Sequence, residues 1–318
     1  MTKLIIQIPC FNEEDTLPRT LEDLPRSVPG CDTVEVLVID DGSTDRTAEL
    51  ARQAGVDHIL RHPRNRGLAA AFASGMNRAM ELGADIVVNT DGDHQYPGRF
   101  IPDLVRPILE GHADVVVGDR QIAHLPGYPR LKRWLQGLGS RVVGWTSGIE
   151  IPDATSGFRA FSREAALRIV VQTSYTYTAE PLIQAGKIGL AVEFVPIDVN
   201  DKLRESRLIK NLPSFIARST AAILRIFLMY EALRVFVVIG AAVVLGGLAL
   251  AGRYLYFFVV GEGQGHVQSL ILATILLLMG FLSFLLGMLA DLIAKVRRLN
   301  EEALYRLRKL ETRRDRTP

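Results

Sequence analysis

Short apolar runs alternate with helix-forming stretches through the first 120 residues of the chain. Strands that alternate with helices of this length are typical of βαβ units, so this part of the chain predicts an α/β domain with a parallel sheet. The apolar runs predict strands at residues 4–8, 34–39, 58–60, 85–88 and 114–118. The stretches between them predict helices at residues 13–24, 44–54, 67–82 and 99–110.

The pattern is less regular over residues 121–200. It predicts helices near 129–147, 163–171 and 178–188. The stretch TSGFRAFS, at residues 155–162, is typical of either a strand or a turn, and a last strand is expected within 191–197.

Two long segments near the C-terminus carry no charged residue, at residues 235–252 and 267–290. A membrane-spanning helix needs about 20 apolar residues, and the first segment reaches that length when residues 254–260 are included. Helices of a soluble core rarely stay apolar on every face for so long. The sequence therefore predicts two transmembrane helices joined by a short loop.

The segment before the first span, residues 208–234, has the pattern of a basic amphipathic helix. Lys210, Arg218 and Arg225 recur at helical spacing and so share one face. Such a helix is typical of the membrane interface, and packing against a soluble domain is the alternative. We expect the chain to divide into an α/β domain at 1–207, interface helices at 208–234, two spans at 235–292 and a basic tail at 293–318.

Lysine and arginine are distributed unevenly, although the net charge of the 318-residue chain is only +2. Basic residues lie before the first apolar segment and after the second, whereas the connecting loop GEGQGHVQ has none. By the positive-inside rule, both ends of the pair face the cytoplasm. The tail has nine Lys or Arg against four Asp or Glu, which suits an anionic membrane surface or, equally, an ordinary solvated helix.

The N-terminal sequence and the cysteines are typical of an intracellular domain. The sequence MTKLIIQIPC enters a strand directly, so no signal peptide is expected. The two cysteines, Cys10 and Cys31, lack the spacing of a metal site, and a reducing compartment fits them.

Acidic side chains follow the first, second and fourth predicted strands. The carboxyl ends of parallel strands meet at one edge of a sheet, where open α/β folds bind their ligands. The first turn, PCFNEED, has no GxGxxG, and the chain has no GxxxxGK[ST], which argues against a dinucleotide-binding fold and a P-loop NTPase. The acids at these strand ends are Glu13, Glu14, Asp40, Asp41, Asp91 and Asp93.

Asp91, Asp93 and Gln95 place oxygen donors at alternate positions. All-oxygen sites favour Mg²⁺ or Mn²⁺ over Zn²⁺, and Mg²⁺ is usually held by one or two carboxylates plus substrate phosphates. The alternative is a turn with helix capping, but the acidic pair at residues 40–41 in the same register favours a metal site. An anionic ligand also needs cations, and the candidates are Arg120, Arg130, Lys132, Arg133, Arg159, Arg204, Arg207 and Lys210.

Seven motifs in a fixed order carry a family resemblance: PCFNEEDTL, IDDGSTD, NRG, TDGDHQ, VVGDR, TSGFRAFSR and RESRL. Together they resemble a family 2 glycosyltransferase with the GT-A fold, a Rossmann-like mixed sheet with helices on both faces. The two spans narrow the resemblance to the polyprenyl-phosphate glycosyltransferases, which include dolichyl-phosphate mannose synthase and bacterial undecaprenyl-phosphate glucosyltransferase. The resemblance covers residues 1–234, and the spans agree in kind.

The resemblance implies a role for each matching residue. The nucleoside pocket would contain Pro9, Phe11, Glu13 near the ribose and Asp40 near the base, with Asp41 in support. Asp91, Asp93 and Gln95 would hold the divalent metal on the donor diphosphate. Arg120 would face the lipid phosphate. The basic segment with Arg204, Ser206 and Arg207 would close on the pyrophosphate.

The chain departs from the family pattern at two places. The family often has an arginine four residues before a serine in the helix after Arg120, whereas Gln136 stands four before Ser140 and Arg133 stands seven before it. Arg133 and Ser140 are therefore expected to meet the acceptor, with Arg130 as a competitor. The usual TDAD is TDGD here, and Gly92 is expected only to loosen the loop. Glu180 has no assigned role, because a helix N-terminal carboxylate explains it equally well.

The implied activity is the inverting transfer of a sugar from a UDP- or GDP-linked donor to a dolichyl or undecaprenyl monophosphate, with Mg²⁺ or Mn²⁺. The implied location is the cell membrane, in a multi-pass protein with a cytoplasmic catalytic domain and no nucleic-acid partner. The sugar, the carrier and the oligomeric state stay open. The alternatives are a processive polysaccharide synthase, whose QxxRW signature is missing here, a non-catalytic membrane scaffold, and a soluble nucleotidyltransferase.

Overall fold

The computed structural model describes residues 1–122, 130–171, 177–200, 212–261 and 263–314. The chain divides into two compact units, one formed by Met1–Ile223 with Glu301–Pro318 and the other by Leu224–Asn300. The part boundaries expected after residues 207, 234 and 292 stay a prediction.

The first unit is built on a mixed sheet with the order β3-β2-β1-β4-β6-β5-β7. Its strands are parallel except β6, which runs antiparallel to both of its neighbours, β4 and β5. The parallel arrangement expected for the strands within residues 1–120 is confirmed, since β1 to β5 all run in one direction, and the mixed sheet implied by the resemblance is confirmed by β6. The strands are β1 Lys3–Cys10, β2 Thr33–Asp40, β3 His58–Arg61, β4 Ile86–Asn89, β5 Val115–Asp119, β6 Arg159–Ser162 and β7 Val192–Pro196.

Helices cover both faces of this sheet. Leu4, Ile6 and Ile8 of β1 lie in one buried cluster with apolar residues of α1 and α4. Helix α3 packs on the other face, where a Cβ on Gly75 would lie 2.4 Å from Gln7 Oε1. The helices are α1 Leu17–Glu22, α2 Thr47–Gln53, α3 Leu68–Glu81, α4 Ile101–Leu109, α5 Arg130–Ser147, α6 Arg163–Arg168, α7 Ala179–Ile188, α8 Leu212–Val260 and α9 Val267–Arg314.

Two helical segments in the described residues are long and apolar enough to cross a membrane, Tyr230–Val260 and Val267–Thr312. Only 11% and 17% of their most apolar stretches are buried, whereas the core helix of a soluble protein is mostly buried. They pack on each other through glycines, since a Cβ on Gly280 would lie 3.0 Å from the carbonyl oxygen of Gly240. Close approach through small residues is typical of helices that associate in lipid. Two candidate membrane spans are thus confirmed at the expected places.

The C-terminal part of α9 packs against α6 within the first unit. Tyr305 is buried, and its hydroxyl donates to Glu164 Oε1 over 2.7 Å. The guanidinium of Arg168 lies 4.3 Å from the centroid of the Tyr305 ring, and Arg308 donates to the carbonyl of Ile169. The described part of the tail is therefore packed against α6 and is not fully solvated. At least one of its cations, Arg308, points toward the protein.

Candidate active site

Three neighbouring strands end at the same edge of the sheet. The register pairs Cys10 at the end of β1 with Asp40 at the end of β2, and β4 ends at Asn89, two residues before Asp91. Burial raises the pKa of the Cys10 thiol, and the carboxylates of Glu13, Asp40 and Asp91 raise it further. A Cβ on Gly92 would lie 2.9 Å from the Cys10 sulfur and 3.4 Å from Glu13 Cγ, so the loop after β4 meets the ends of β1 and β2 at this thiol.

The loops after β1 and β2 are tied together by side chains of both. The Asn12 amide N–H donates to Ser43 Oγ, and Asn12 Oδ1 accepts from the N–H of Thr44, both over 2.9 Å. Asn12 has a left-handed backbone, with φ of 54°, which bends the chain away from β1. This connected loop replaces the first turn expected for α1 and α2, so both helices begin later than predicted. It leaves Pro9 buried and the ring of Phe11 37% exposed at the rim of the site.

Asp40 is fully buried and has one incompletely satisfied oxygen. Its Oδ1 accepts from the N–H of Ser43 over 2.8 Å. Its Oδ2 forms an ion pair with Arg61 Nε over 3.0 Å but accepts no hydrogen bond from the described residues. A buried carboxylate oxygen without a hydrogen bond is costly, so Asp40 is suited to accept one from a ligand.

Asp41 instead uses both of its oxygens within the chain. Oδ1 lies 2.6 Å from His62 Nδ1 and accepts from the N–H of Arg66, and Oδ2 accepts from the N–H of Gly67. These contacts hold the loop that leads into α3. Asp41 therefore supports the neighbouring position 40 without offering an oxygen to a ligand.

The carboxylate of Asp91 is packed closely against Tyr177 and Gly157. The Tyr177 hydroxyl donates to Asp91 Oδ1 over 3.3 Å. A Cβ on Gly157 would lie 3.1 Å from both Asp91 oxygens and 2.5 Å from Tyr177 Oη, so only glycine fits there. Burial first, and then the nearby charge of Asp93, raise the pKa of Asp91 to about 7, against the opposing charge of Arg120.

The rest of the TDGDHQ loop is fixed by the segment after β7. Asn200 donates from its side chain to the carbonyl of His94 and from its backbone to the carbonyl of Gln95, both over 3.0 Å. Gln95 in turn donates its N–H to Asp93 Oδ1 over 3.1 Å. In the part of the chain that the structure describes, no group of three or more His, Cys, Asp or Glu side chains is arranged to hold a metal. Two carboxylates and an amide are an incomplete set that a substrate diphosphate could complete.

Gly92 has a packing role, which corrects the expectation that it only loosens the loop. A Cβ there would lie 2.9 Å from the sulfur of Cys10 and 3.4 Å from Glu13 Cγ. The hydroxyl of Thr16 lies 2.8 Å from the carbonyl oxygen of Gly92 and 2.9 Å from Glu13 Oε2, so its single hydrogen is shared between the two acceptors. The absence of a side chain therefore lets the loop after β4 pack directly on the turn after β1.

Arg120 is held by a buried acid. Its Nε and Nη2 donate to the two oxygens of Asp153 over 2.7 and 3.0 Å, and Nη2 also donates to Thr155 Oγ1. Burial alone would raise the pKa of Asp153, but the hydrogen bonds and charge of Arg120 outweigh it, and the net shift is downward. If Arg120 contacts a lipid phosphate as predicted, its guanidinium would have to bind that phosphate and Asp153 at the same time.

The other residues expected to meet the acceptor lie on α5 or outside the described residues. Ser140 is buried, and its Oγ accepts from the N–H of Ala154 over 3.1 Å, so it fastens α5 to the loop that holds Asp153. Arg133 lines a shallow cavity of about 380 Å³ with Trp134 and Arg141. The side chain of Arg130 and the residues Arg204, Ser206 and Arg207 lie outside what the structure describes.

A family model described as glycosyl transferase family 2 matches residues 5–169, just over half of the chain. The chain belongs to glycosyl transferase family 2. The matched region of this family 2 chain contains most of β1, all of β2 to β6 and every described site residue except Tyr177, Glu180 and Asn200.

Several relatives of this family 2 chain have names that state an activity. The dolichyl-phosphate hexose transferase of Haloferax volcanii is 32% identical over 205 residues, which cover 64% of this chain and 86% of that protein. The undecaprenyl-phosphate mannosyltransferase of Micrococcus luteus is 28% identical over 217 residues, 65% of this chain and 87% of that protein. The H. volcanii glycosyltransferase AglJ is 29% identical over 96% of this chain and 97% of its own length, so the similarity extends through the C-terminal helices.

The fold also resembles a solved structure, the glucosyl-3-phosphoglycerate synthase of Mycobacterium tuberculosis in complex with Mn²⁺, UDP-glucose and phosphoglyceric acid. The two agree with a TM-score of 0.55 at 23% identity, over 71% of this chain and 79% of that one. At this identity the likeness concerns the fold alone. The prediction of a family 2 glycosyltransferase with a mixed α/β sheet is confirmed.

Arg159 was expected among the cations for an anionic ligand, but in this family 2 domain it is buried and structural. Its guanidinium donates to the carbonyls of Ala154, Ser156 and Thr178. Burial lowers its pKa to about 10. It thereby connects the loop before β6 to the start of α7, where Glu180 is also buried.

A polar pair inside the sheet was missed, although the sequence carries a signal for it. Gln7 and Asn89 interrupt two apolar runs, and polar residues inside buried strands need partners. Gln7 Nε2 donates to Asn89 Oδ1 over 2.9 Å, and Asn89 Nδ2 donates to the carbonyl of Gly157 over 2.7 Å. This chain of hydrogen bonds positions the glycine that contacts Asp91. Tyr177 and Asp153 were missed too, and no local pattern identifies them.

Proposed function

We propose that this chain transfers a sugar, with inversion at the anomeric carbon, from a nucleotide-sugar to a polyprenyl monophosphate at a membrane. The observation that carries the proposal is the convergence of Glu13, Asp40 and the Asp91–Asp93 pair at one sheet edge, where β5 also ends just before Arg120. The relatives named as a dolichyl-phosphate hexose transferase and an undecaprenyl-phosphate mannosyltransferase support the acceptor class.

The donor nucleotide fits the half of the site formed by β1 and β2. The buried Oδ2 of Asp40 offers a hydrogen-bond acceptor for an N–H of the base, and the exposed ring of Phe11 offers a surface for stacking. Glu13 is placed by the bond from Thr16 Oγ1 to its Oε2 over 2.9 Å, close to the loop of Gly92. We assign Glu13 to the ribose hydroxyls.

The acids after β4 fit a divalent cation. Asp91 and Asp93 are close enough for one charge to raise the pKa of the other, and a cation between them would relieve that repulsion. We propose that Asp91, Asp93 and Gln95 hold Mg²⁺ or Mn²⁺. Such an ion, when bound, would neutralise the negative charge that develops on the departing nucleotide diphosphate.

The acceptor needs little activation by the protein. The second pKa of a phosphate monoester is about 6, so the attacking oxygen is already anionic at neutral pH. The main barrier is the repulsion between two anions, which Arg120, and by resemblance Arg133, Arg204 and Arg207, would offset. Attack from the face opposite the leaving diphosphate inverts the anomeric carbon.

The membrane location follows from the two candidate spans. Polyprenyl chains are dissolved in the bilayer, so an enzyme that uses them works at its surface. We propose that both ends of the span pair face the cytoplasm, because the connecting loop has no Lys or Arg. The catalytic domain would then act on the cytoplasmic face.

The test is a donor screen with the full chain in nanodiscs that contain a polyprenyl phosphate. Transfer of one labelled sugar per lipid phosphate is expected from a UDP- or GDP-sugar, with loss of activity in EDTA and recovery with Mg²⁺ or Mn²⁺. Asp93→Asn should lower the rate at least about 100-fold, as loss of an electrostatic group does in other active sites. Asp103→Asn, an acid in the first turn of α4, serves as the matched control.

Three results would contradict the proposal. The first is transfer that persists in EDTA, and the second is equal activity of the Asp93 and Asp103 variants. The third is a product with many sugars on one lipid, which would indicate a processive synthase.

A further inference from the structure

Helix α9 carries a strict heptad repeat along one face. A series of residues follows alternating steps of three and four, and all but Asn300 are apolar. The large apolar members are 49–71% exposed. A straight α-helix drifts by about 20° per heptad against such a repeat, so its persistence is typical of a helix that supercoils with another. The series, called the heptad series below, is Met279, Leu282, Leu286, Leu289, Ile293, Val296, Asn300, Ala303, Leu307 and Leu310.

The opposite face of α9 is used for packing inside the chain. In the segment of the candidate span, Gly280 and Gly287 pack against α8. Further along the helix, Tyr305 is buried and Arg308 contacts the end of α6. Each of these residues lies at an outer position of the heptad. The packing of α9 within the chain therefore leaves the heptad series exposed.

Lipid can account for the first half of the heptad series but not for the second. The uncharged segment ends at residue 290, and charged residues recur from Asp291 onward. Before that point apolar side chains surround the helix. Beyond it, the exposed large apolar side chains in the described residues are Val296, Leu299, Leu307 and Leu310. Three of them belong to the heptad series and Leu299 lies directly beside it, so the apolar surface narrows to one stripe.

The continuity of α9 carries this stripe away from the membrane. The helix extends without interruption from Val267 to Arg314. At a rise of about 1.5 Å per residue, residues 290–310 add about 30 Å of helix. A helix whose first part crosses the bilayer carries such a length out of the headgroup region. Leucines that are exposed there in a row indicate a surface for a protein partner.

Polar residues on and beside the stripe identify that partner as a second copy of the chain. Asn300 lies within the heptad series, at the kind of position where asparagine fixes the register of a parallel two-stranded coiled coil. Arg306 and Glu311 flank the series on its two sides, five residues apart. At this spacing, flanking residues of two parallel strands meet. In a symmetric pair, Arg306 of each copy would therefore face Glu311 of the other, which gives two attractive charge pairs.

The existing contact of Arg306 is compatible with this pairing. Its Nε donates to Glu302 Oε1 over 2.9 Å, one turn before it on the same helix. The side chain of Arg306 is nevertheless 74% exposed. A guanidinium has further N–H groups, so it can bind an acid of a second copy as well.

We infer that residues 296–310 form a parallel two-stranded coiled coil with the same residues of a second copy in the same membrane. The inference rests on the membrane location in the proposed function, because two copies with one topology meet in parallel, but not on the identity of the donor or the acceptor. The chain would then act as a dimer that is joined outside the hydrocarbon region.

Cysteine cross-linking of the purified full chain in proteoliposomes tests the interface. Ala303→Cys places two thiols across the core of the coiled coil, where facing residues lie within the range of about 4–7 Å between Cα atoms that a disulfide needs. Arg298→Cys is the matched control, because Arg298 is exposed and lies at an outer position. With a mild oxidant, Ala303→Cys should give at least about ten times more linked dimer than Arg298→Cys. The wild type, with Cys10 and Cys31, sets the background.

A charge exchange tests the parallel register. Arg306→Glu places like charges opposite each other in both pairs and should raise the dissociation constant of the dimer about tenfold, measured by analytical ultracentrifugation in detergent. Adding Glu311→Arg restores opposite charges between the copies but not the contact with Glu302. The double variant should therefore return to within about threefold of the wild type, and a lack of recovery would refute the parallel pairing.

Three further outcomes would overturn the inference. Equal cross-linking of Ala303→Cys and Arg298→Cys would mean that the copies only collide. A monomeric chain whose fluorescent label at Ala303→Cys is quenched by brominated lipid would place the stripe on the membrane surface. A monomeric chain whose label is quenched only by aqueous acrylamide would leave the stripe in water without a second copy.

Sugar transfer is measured separately on the same proteoliposomes, and the cross-linking needs neither donor nor acceptor. Cross-linking through Ala303→Cys without sugar transfer would refute the proposed function alone. Sugar transfer by a chain that stays monomeric would refute the coiled coil alone.

Discussion

The ion pair between Arg120 and Asp153 gives the sharpest stability prediction. Asp153 is 1% exposed and receives two hydrogen bonds from Arg120, besides those from the N–H groups of Thr155 and Ser156. Asp153→Asn keeps the shape of the side chain but removes its charge. It also turns one acceptor into an NH₂ group that faces the N–H groups of Arg120.

The structure sets the size of the effect. Removal of one partner from a buried ion pair typically costs about 3–5 kcal/mol, since the other charge stays buried. The side chain of Arg120 is 11% exposed and keeps some contact with water, so we expect the lower end, about 3 kcal/mol. For a domain of this size, that free-energy change lowers the apparent Tm by about 6–12 °C.

The assay is thermal unfolding in detergent at one scan rate, because membrane proteins unfold irreversibly and only apparent Tm values can be compared. Asp198→Asn is the matched control. Asp198 pairs with Arg99 over 3.2 Å, but the two side chains are 79% and 62% exposed. An exposed pair of this kind contributes about 0–1 kcal/mol. Equal shifts for the two variants would refute the argument that burial makes the pair at Asp153 strong.

Three further outcomes are expected. The pKa of Asp153 is lowered in the folded chain, so its contribution to the free energy of unfolding is present above the ordinary carboxyl pKa of about 4 and is lost as the pH falls through the lowered value. The difference in Tm between wild type and Asp153→Asn should therefore disappear in acid. A difference that stays constant with pH would contradict this. Gly157→Ala should lower sugar transfer at least about tenfold through the crowding of the site. Gly139→Ala, with open space around it, should leave transfer unchanged and raise the free energy of unfolding by up to about 1 kcal/mol, with a small rise in Tm. Gly92→Ala should lower Tm, and Cys10→Ala in the same chain should recover part of the loss, because the two side chains compete for one space; additive effects in this double-mutant cycle would refute the packing role of Gly92.

The strands and the sheet edge of the site could be predicted from the sequence because both depend on short-range patterns. Apolar runs locate the buried strands, and in parallel units acids at the ends of such runs must share an edge. The convergence of Asp40 and Asp91 follows from this rule alone. The predicted starts of α1 and α2 were less accurate, because the hydrogen bonds of Asn12 with Ser43 and Thr44 replace the first helical turns. Residues 12 and 43 are 31 positions apart, and such a distant contact does not change the apolar pattern of either helix.

The antiparallel strand β6 was beyond the apolar pattern for a physical reason. The apolar pattern of a strand that is buried on both faces is the same for either direction of the chain. The sequence RAFS therefore does not indicate whether β6 is parallel or antiparallel to its neighbours. The direction is set by the long connection through α5, which returns the chain to the edge that holds Asp91. The role of Arg159 was also beyond the pattern, since it joins the carbonyls of Ala154 and Ser156, just before it, to that of Thr178, which lies 19 residues away.

The position of β6 in turn explains why Asp91 and Asp93, the acids that we propose to bind the metal, are held close together. Asp91 cannot move toward Gly157, whose backbone is held by Asn89, nor toward Tyr177, whose hydroxyl it already accepts. Gly92, between the two acids, packs against Cys10, and Asp93 accepts a hydrogen bond from the N–H of Gln95. Repulsion between the two carboxylates is therefore built into the fold before any ligand arrives. A divalent cation that enters with the donor diphosphate would remove this repulsion without rearranging the loop, so the free energy of cation binding is available to hold the donor.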